Sequence, residues 1–353
     1  MYNVKKKHIK SEEGKKELMH DFEKYTRIIR EEEFTKRMEE EVLPYLKTRE
    51  REAWIPCIKD NKRRIHVKRY LVEKPRGVVI ICHGFSESAQ KYPELIYYFL
   101  QENYHVYIPE HCGHGLSYRL SEDPSLVHLD HWSRYSRDFL RISRLVRKAH
   151  PGLPLYVFAH SMGGAVAAIA AARDPYMYKK VILSSPMIRP LTGNVPYPAA
   201  VRVARAACRA GRSMKYAAGQ KPYDGKEKFE ASSGLSRPRF DRYKKIRMEN
   251  PAFQTWSPSY GWVYNAAKMN WYLQRWGYGE IQAPVLLFQA ETDHLVSNKA
   301  QDIFAEKINH HGKTSCRLIH MPGTKHEIFN SPDEVLEDYW GRVFGFLKGS
   351  EKK

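Results

Sequence analysis

The chain has 353 residues, with 59 Lys and Arg against 40 Asp and Glu and a formal net charge of +19. A hydrophobic content of 42% is enough for a sizeable core and excludes a disordered tail protein. The length fits one large α/β domain with an insertion, or two modest domains. Five scattered cysteines (Cys57, Cys82, Cys112, Cys208 and Cys316) form no C-x-x-C pair, so neither a disulfide framework nor a zinc site is supported.

No metal and no cofactor is therefore expected. The first eight residues are basic with no apolar stretch behind them, and nowhere do ~18 consecutive apolar residues occur. A soluble, cytoplasmic protein is the expectation. The charge is unevenly spread: residues 1–50 carry 13 Lys/Arg against 12 Asp/Glu, whereas residues 186–280 carry 17 against 6. A positive field on that internal segment would draw anionic partners, and peripheral contact with an anionic membrane surface is the expected form. No zinc-finger, RRM or helix-turn-helix signature accompanies it, so no nucleic-acid partner is expected.

Residues 1–50 are charged and glycine-poor. Leu18, Phe22, Tyr25 and Ile29 recur at helical spacing, which predicts amphipathic helices between Lys15 and Leu46. The α/β core is expected over 51–185 and again over 281–353. Ala53–Ile58 and Arg64–Val72 read as a hairpin turning at Lys59–Lys62. The continuous apolar run Gly77–Cys82 reads as a strand buried on both faces of a parallel sheet. A helix over Tyr92–Gln101, a strand over His105–Ile108 and a helix over His131–Ala149 follow. The strand Leu155–His160, an alanine-rich helix over Ala165–Ala172 and the strand Lys180–Ser184 complete the first part. Residues 186–280 break the rhythm with clustered Pro, Arg and aromatics and read as an inserted basic cap, with weak helices over Ala199–Ala210 and Tyr264–Trp276. The α/β rhythm resumes with strand Pro284–Phe288, helix Ser297–Ile308, strand Ser315–His320 and helix Pro332–Leu347. Strands and helices alternating at this spacing predict a mainly parallel, doubly wound sheet.

The chain is organised around Ala159-His160-Ser161-Met162-Gly163-Gly164, where an apolar strand meets a tight turn and a helix former. This is the strand–turn–helix setting of a G-x-S-x-G nucleophile elbow, with alanine in the first glycine's place. The plain alternative is a serine capping a helix. A serine needs a base, and the base an orienting acid, in the chain order Ser, acid, His. Asp293 follows the strand ending at Phe288 and His326 follows the strand ending at His320, so Ser161, Asp293 and His326 are the candidate triad. Glu291 is the second candidate acid, Glu327 reads as solvated, and His294, His310 and His311 read as surface residues. Two N–H donors are needed for the oxyanion, and Met162 and Phe85 are assigned.

The stretches His83-Gly-Phe-Ser-Glu-Ser, Lys91-Tyr-Pro-Glu-Leu, Gly113-His-Gly-Leu-Ser and Ala159-His-Ser-Met-Gly-Gly resemble the α/β-hydrolase family containing monoacylglycerol lipases and lysophospholipases. The Glu-Ser-x-x-Lys-Tyr arrangement is most similar to the bacterial lysophospholipase L2 branch. The resemblance runs in motif order from about Trp54 to Leu347. Relatives often carry Asp and Arg in the loop after Ile108, where this chain has Glu110 and Cys112; that loop reads as structural.

The resemblance implies a serine ester hydrolase that releases fatty acid from a lipid-like ester, lysophospholipid or monoacylglycerol, through an acyl-Ser161 intermediate. Phe253, Trp256, Trp262 and Tyr264 are the candidate acyl-pocket residues, with packing inside the cap as the alternative. The same branch includes serine aminopeptidases, but a site for an α-amine needs carboxylates and the cap is acid-poor. A non-catalytic binding module would not need all three of Ser161, Asp293 and His326.

Overall fold

A computed structural model describes residues 23–57 and 60–349. The part of the expected N-terminal helices before residue 23 lies outside the described residues. From there a continuous helical run occupies 31–49, loosened by a π turn over Met38–Val42. The run buries Phe34, Met38, Val42 and Leu46 against the core, and the non-helical stretch before it buries Tyr25, Ile28 and Ile29.

Eight strands form one sheet: β1 (Glu50–Cys57), β2 (Asp60–Tyr70), β3 (Gly77–Cys82), β4 (Tyr104–Pro109), β5 (Leu155–His160), β6 (Lys180–Ser184), β7 (Val285–Thr292) and β8 (Cys316–Lys325). Their order is β1-β2-β4-β3-β5-β6-β7-β8. β2 is antiparallel to both β1 and β4, and all other neighbours run parallel. The expected hairpin is present, but its strands reach closer together, with Cys57 paired to Asp60 across a register shift.

Alternation along the central strands divides the core in two. Val78, Ile80, Val157, Leu183 and Leu287 face one layer, and Val79, Ile81, Phe158, Ile182 and Phe288 the other. Period-two alternation in strands apolar at every position requires cover on both sides. The first layer holds α2 (Arg134–Ala149) and α3 (Met162–Arg173), and the second α1 (Pro93–Gln101) and the N-terminal run.

The segment between β6 and β7 holds α4 (Tyr197–Arg209), α5 (Arg237–Glu249) and α6 (Tyr260–Arg275); α7 (Asn298–His311) and α8 (Asp333–Lys348) close the fold. α6 and α7 add to the first layer and α8 to the second. α5 departs from the expectation of only two weak helices in this segment. Its buried positions are Arg239, Tyr243 and Arg247, so its inner face carries no aliphatic period to read. α6 starts four residues before the expected Tyr264 because Ser259 caps it, its hydroxyl accepting from the Trp262 N–H.

β8 runs past the expected end at His320 to Lys325. Its pairing with β7 shifts register after Met321, and Gly323 takes φ 68° in the shifted stretch. This extension carries the chain to the position where His326 enters the site. Among the described residues no helix is long and apolar enough to cross a membrane.

Candidate active site

Ser161 lies between β5 and α3 with φ 53° and ψ −120°, a region that a non-glycine residue occupies at a cost of about 1–3 kcal/mol. The turn is held from both sides: the Ser161 N–H donates to the Ser184 carbonyl at 3.0 Å, and its own carbonyl accepts from Met187 N–H at 2.8 Å. Glycine is needed just after it. A Cβ on Gly163 would sit 2.0 Å from the Cys82 carbonyl oxygen, and one on Gly164 would sit 2.6 Å from Cβ of Pro186. α3 is therefore pressed against the end of β3, which explains its run of small residues, buried from Met162 to Ala172.

Asp293, just beyond β7, and His326, just beyond β8, meet at 2.7 Å through Oδ2 and Nδ1. Asp293 Oδ1 accepts the Leu295 and Val296 N–H groups at 2.8 and 2.9 Å. Burial pushes this carboxyl up, but His326 and the two backbone donors outweigh it and hold it below its ordinary value. The carboxylate therefore stays charged and fixes the ring. Glu291 is exposed and accepts the Gly323 N–H at 2.6 Å, holding a loop instead.

Ser161, His326 and Phe85 line one cavity of about 690 Å³. The loop carrying Phe85 is fixed by Glu87, whose Oε2 accepts the Gly84 N–H at 2.6 Å. The Phe85 ring packs on Trp262 at 4.6 Å. Among the four aromatic candidates of the insertion, Trp256 and Trp262 line the cavity. Phe253 and Tyr264 do not: Phe253 is buried, and Tyr264 packs beneath Lys268 Nζ at 4.2 Å.

One expectation requires correction. Glu327 is not solvated: its side chain is 18% exposed and pairs with Lys91, 236 residues earlier, at 2.5 Å. Three carboxylates line the cavity, Glu227 from the inserted segment and Glu87 and Glu327 from outside it. Each is matched to a cation, Lys91 for Glu87 and Glu327 and Arg247 for Glu227. Sequence reasoning also missed Met187, Leu295 and Val296, apolar lining residues that follow β6 and β7. Their nearness in sequence to Ser184 and Asp293 was the available signal.

The loop after β4 is structural, as expected. Glu110 is buried, meets His66 Nδ1 at 2.8 Å, and accepts the Ala89 and Leu116 N–H groups. Burial pushes the Cys112 thiol up to about 12, which leaves it unreactive.

Buried histidines surround the site. Burial pulls His83, His111 and His114 below the ordinary value and takes His160 down to about 4. These rings are neutral in the fold but charge readily once unfolded, so the unfolded chain binds more protons and stability falls as pH drops from about 6.5 toward 4. His160 alone contributes on the order of 3 kcal/mol to that loss. His66 acts oppositely: Glu110 and Glu52 overcome its burial and raise it, so its contribution is full below 6.5 and fades at higher pH. We expect the melting temperature to drop steeply between pH 6.5 and 4 in a thermal scan, and a flat profile would contradict this accounting.

The mostly parallel eight-stranded sheet, wound on both faces and interrupted after β6, is that of an α/β-hydrolase. A family model described as serine aminopeptidase, S33 matches residues 73–333, and the chain belongs to this family. It is 28% identical to lysophospholipase L2 of Escherichia coli K12 over 76% of this chain and 79% of that protein. It is 26% identical to monoacylglycerol lipase of Mycolicibacterium smegmatis, over 77% and 90%. Among solved structures, a soluble variant of monoglyceride lipase from Saccharomyces cerevisiae superposes with a TM-score of 0.66 at 16% identity, covering 86% of this chain and 97% of that one.

Proposed function

We propose that the protein is a serine carboxylic-ester hydrolase that releases fatty acid from lysophospholipid or monoacylglycerol through an acyl-Ser161 intermediate. The observation that carries this reading is the His326–Asp293 couple, opening on the same cavity as a serine held in a strained strand–helix turn. The relatives named lysophospholipase and monoacylglycerol lipase, matched over most of their lengths, support the substrate class.

In the first half-reaction Ser161 Oγ attacks the ester carbonyl carbon as His326 Nε2 takes its proton, and Asp293 holds the other ring nitrogen. The Phe85 and Met162 N–H groups receive the negative charge that develops on the carbonyl oxygen. Collapse breaks the bond to the alcohol, which leaves with the proton from His326. Water, activated by the same ring, then attacks the acyl carbon and frees the fatty acid and Ser161.

The residues 186–280 serve as a cap over this site, contributing Trp256 and Trp262 to its wall. On α4, Arg202, Val203, Arg205 and Arg209 are exposed, which supports peripheral contact with an anionic lipid surface. The five cysteines, four of them buried, fit a reducing cytoplasm. Against a peptidase, each cavity carboxylate is already engaged by a cation, Lys91 bridging Glu87 and Glu327 and Arg247 pairing with Glu227.

A product assay tests the reading. Purified protein is incubated separately with lysophosphatidylcholine, monoacylglycerol and an aminoacyl amide. Fatty acid is expected from the two lipids; amine release from the amide with no fatty acid from either lipid would overturn it.

A further inference from the structure

Lys91 stands behind the acyl-transfer groups and joins two loops that come from opposite ends of the chain. Its Nζ lies 2.8 Å from Glu87 Oε1 and 2.5 Å from Glu327 Oε1, and its side chain is 9% exposed. Two rings lie close to the charge, with Nζ 5.3 Å from the centre of Tyr243 and 5.9 Å from that of Phe329.

Each carboxylate is also bound to the loop it belongs to. Glu87 Oε2 accepts the Gly84 N–H at 2.6 Å and the Tyr92 hydroxyl at 2.5 Å, which fixes the turn carrying Phe85. Glu327 directly follows His326, and its Oε2 accepts from Asn330 Nδ2 at 2.6 Å. Its backbone N–H donates to the Ser233 carbonyl at 2.8 Å, tying the histidine loop to the inserted segment as well.

None of these charges is needed to move a proton or a bond in acyl transfer. Apolar residues of similar volume could fill the same space with equal or better stability, because a buried ion triad costs desolvation that its attraction only offsets. What an ionic bridge adds over packing is a fixed spacing between the groups it joins.

We propose that Lys91 is a positioning residue for acyl transfer, bridging Glu87 and Glu327 so that the Phe85 N–H and the His326 ring are held at one spacing across Ser161. This rests on the roles assigned above to Phe85, Ser161 and His326.

The groups that face Lys91 are Glu87 from its own loop, His160 from β5, Glu327 from the histidine loop and Tyr243 from α5; beyond them Tyr92 bonds Glu87, His326 packs on His160 and Arg247 lies over Tyr243. Burial pushes both carboxyls up, and the attraction of Lys91 outweighs it and holds both below their ordinary values. Without the cation, two carboxylates would share a buried space, and one would take up a proton nearer neutral pH.

The test compares Lys91→Met, Lys91→Arg, Glu327→Gln and the double variant Lys91→Met/Glu327→Gln on a p-nitrophenyl ester, with melting temperature measured in parallel. Lys91→Met is expected to lower kcat on the order of 10²-fold, the loss that follows from misplacing catalytic groups by about 1 Å, with KM nearly unchanged. Its kcat profile should gain a limb that falls with acid closer to neutrality. Lys91→Arg should recover most of the rate, and adding Glu327→Gln should remove the new limb. If Lys91→Met does not fold, Glu327→Gln, which keeps the shape and one acceptor oxygen but removes the charge, should still lower kcat several-fold in a folded protein. A wild-type kcat and pH profile in Lys91→Met, or in Glu327→Gln where only that folds, overturns the inference. So does a loss undiminished in Lys91→Arg. Ser161-dependent turnover that is indifferent to Lys91 would remove this inference alone, whereas no ester turnover in the unmodified protein would remove the proposed function.

Discussion

Ser161→Ala is expected to lower kcat/KM on p-nitrophenyl and lipid esters by about 10⁴- to 10⁶-fold while the melting temperature stays put. The size follows from the division of labour: without Oγ no acyl-enzyme forms, and only cavity binding and the N–H donors remain to speed attack by water. The fold should survive because Ser161 is held through its backbone, by Ser184 and Met187, and alanine keeps both bonds. Alanine also pays no more than serine for the positive φ, since both carry a Cβ. Circular dichroism and a thermal scan check the fold, and steady-state kinetics check the rate. Retained turnover would move the nucleophile elsewhere.

Asp293→Asn should cost about 10⁴-fold in kcat, the loss produced when a catalytic imidazole is held in the wrong tautomer. Asp293 now accepts the proton on His326 Nδ1, leaving Nε2 free to act as a base. An asparagine amide would instead donate to Nδ1 and put the proton on Nε2, where it blocks the reaction with Ser161. The Leu295 and Val296 N–H groups can still donate to the remaining carbonyl oxygen, so the loop should keep its shape. Glu291→Gln is the control. Its side chain is exposed and bonded to the Gly323 N–H, so its kcat should stay within about 3-fold, in the range of surface substitutions. Equal losses in the two variants would leave the acid unassigned.

The parts of this molecule that were legible in its sequence are those where local chemistry dictates geometry. Gly163 and Gly164 are demanded by contacts under 3 Å, and the strands β3, β5 and β6 are apolar at nearly every position because both sheet faces are covered. The order of Ser161, Asp293 and His326 follows from the order of the strands that carry them. What escaped were features set by distant partners. Glu327 sits in a polar loop that reads as solvated, and only the fold brings Lys91 to it. α5 buries Arg239 against Glu94, 145 residues earlier, so its inner face looks like an outer one in sequence. The four aromatic candidates of the insertion divided between their two readings, with Trp256 and Trp262 in the wall and Phe253 and Tyr264 outside it.

The buried Arg239 also bears on how the chain comes apart. Its guanidinium bonds both oxygens of Glu94 on α1 at 2.7 and 2.9 Å, donates to the Ile29 carbonyl at 3.0 Å, and lies 4.6 Å from the centre of the Phe34 ring. Three stretches far apart in sequence thus share one charge that none can leave uncompensated, and losing a partner of such a pair costs about 3–5 kcal/mol. The sequence divides near residues 50 and 186, but thermal melting has no reason to respect those divisions. The N-terminal run, α1 and α5 are expected to melt together, and a chain trimmed before β1 would strip Arg239 on α5 of the Ile29 carbonyl and the Phe34 ring that help hold it.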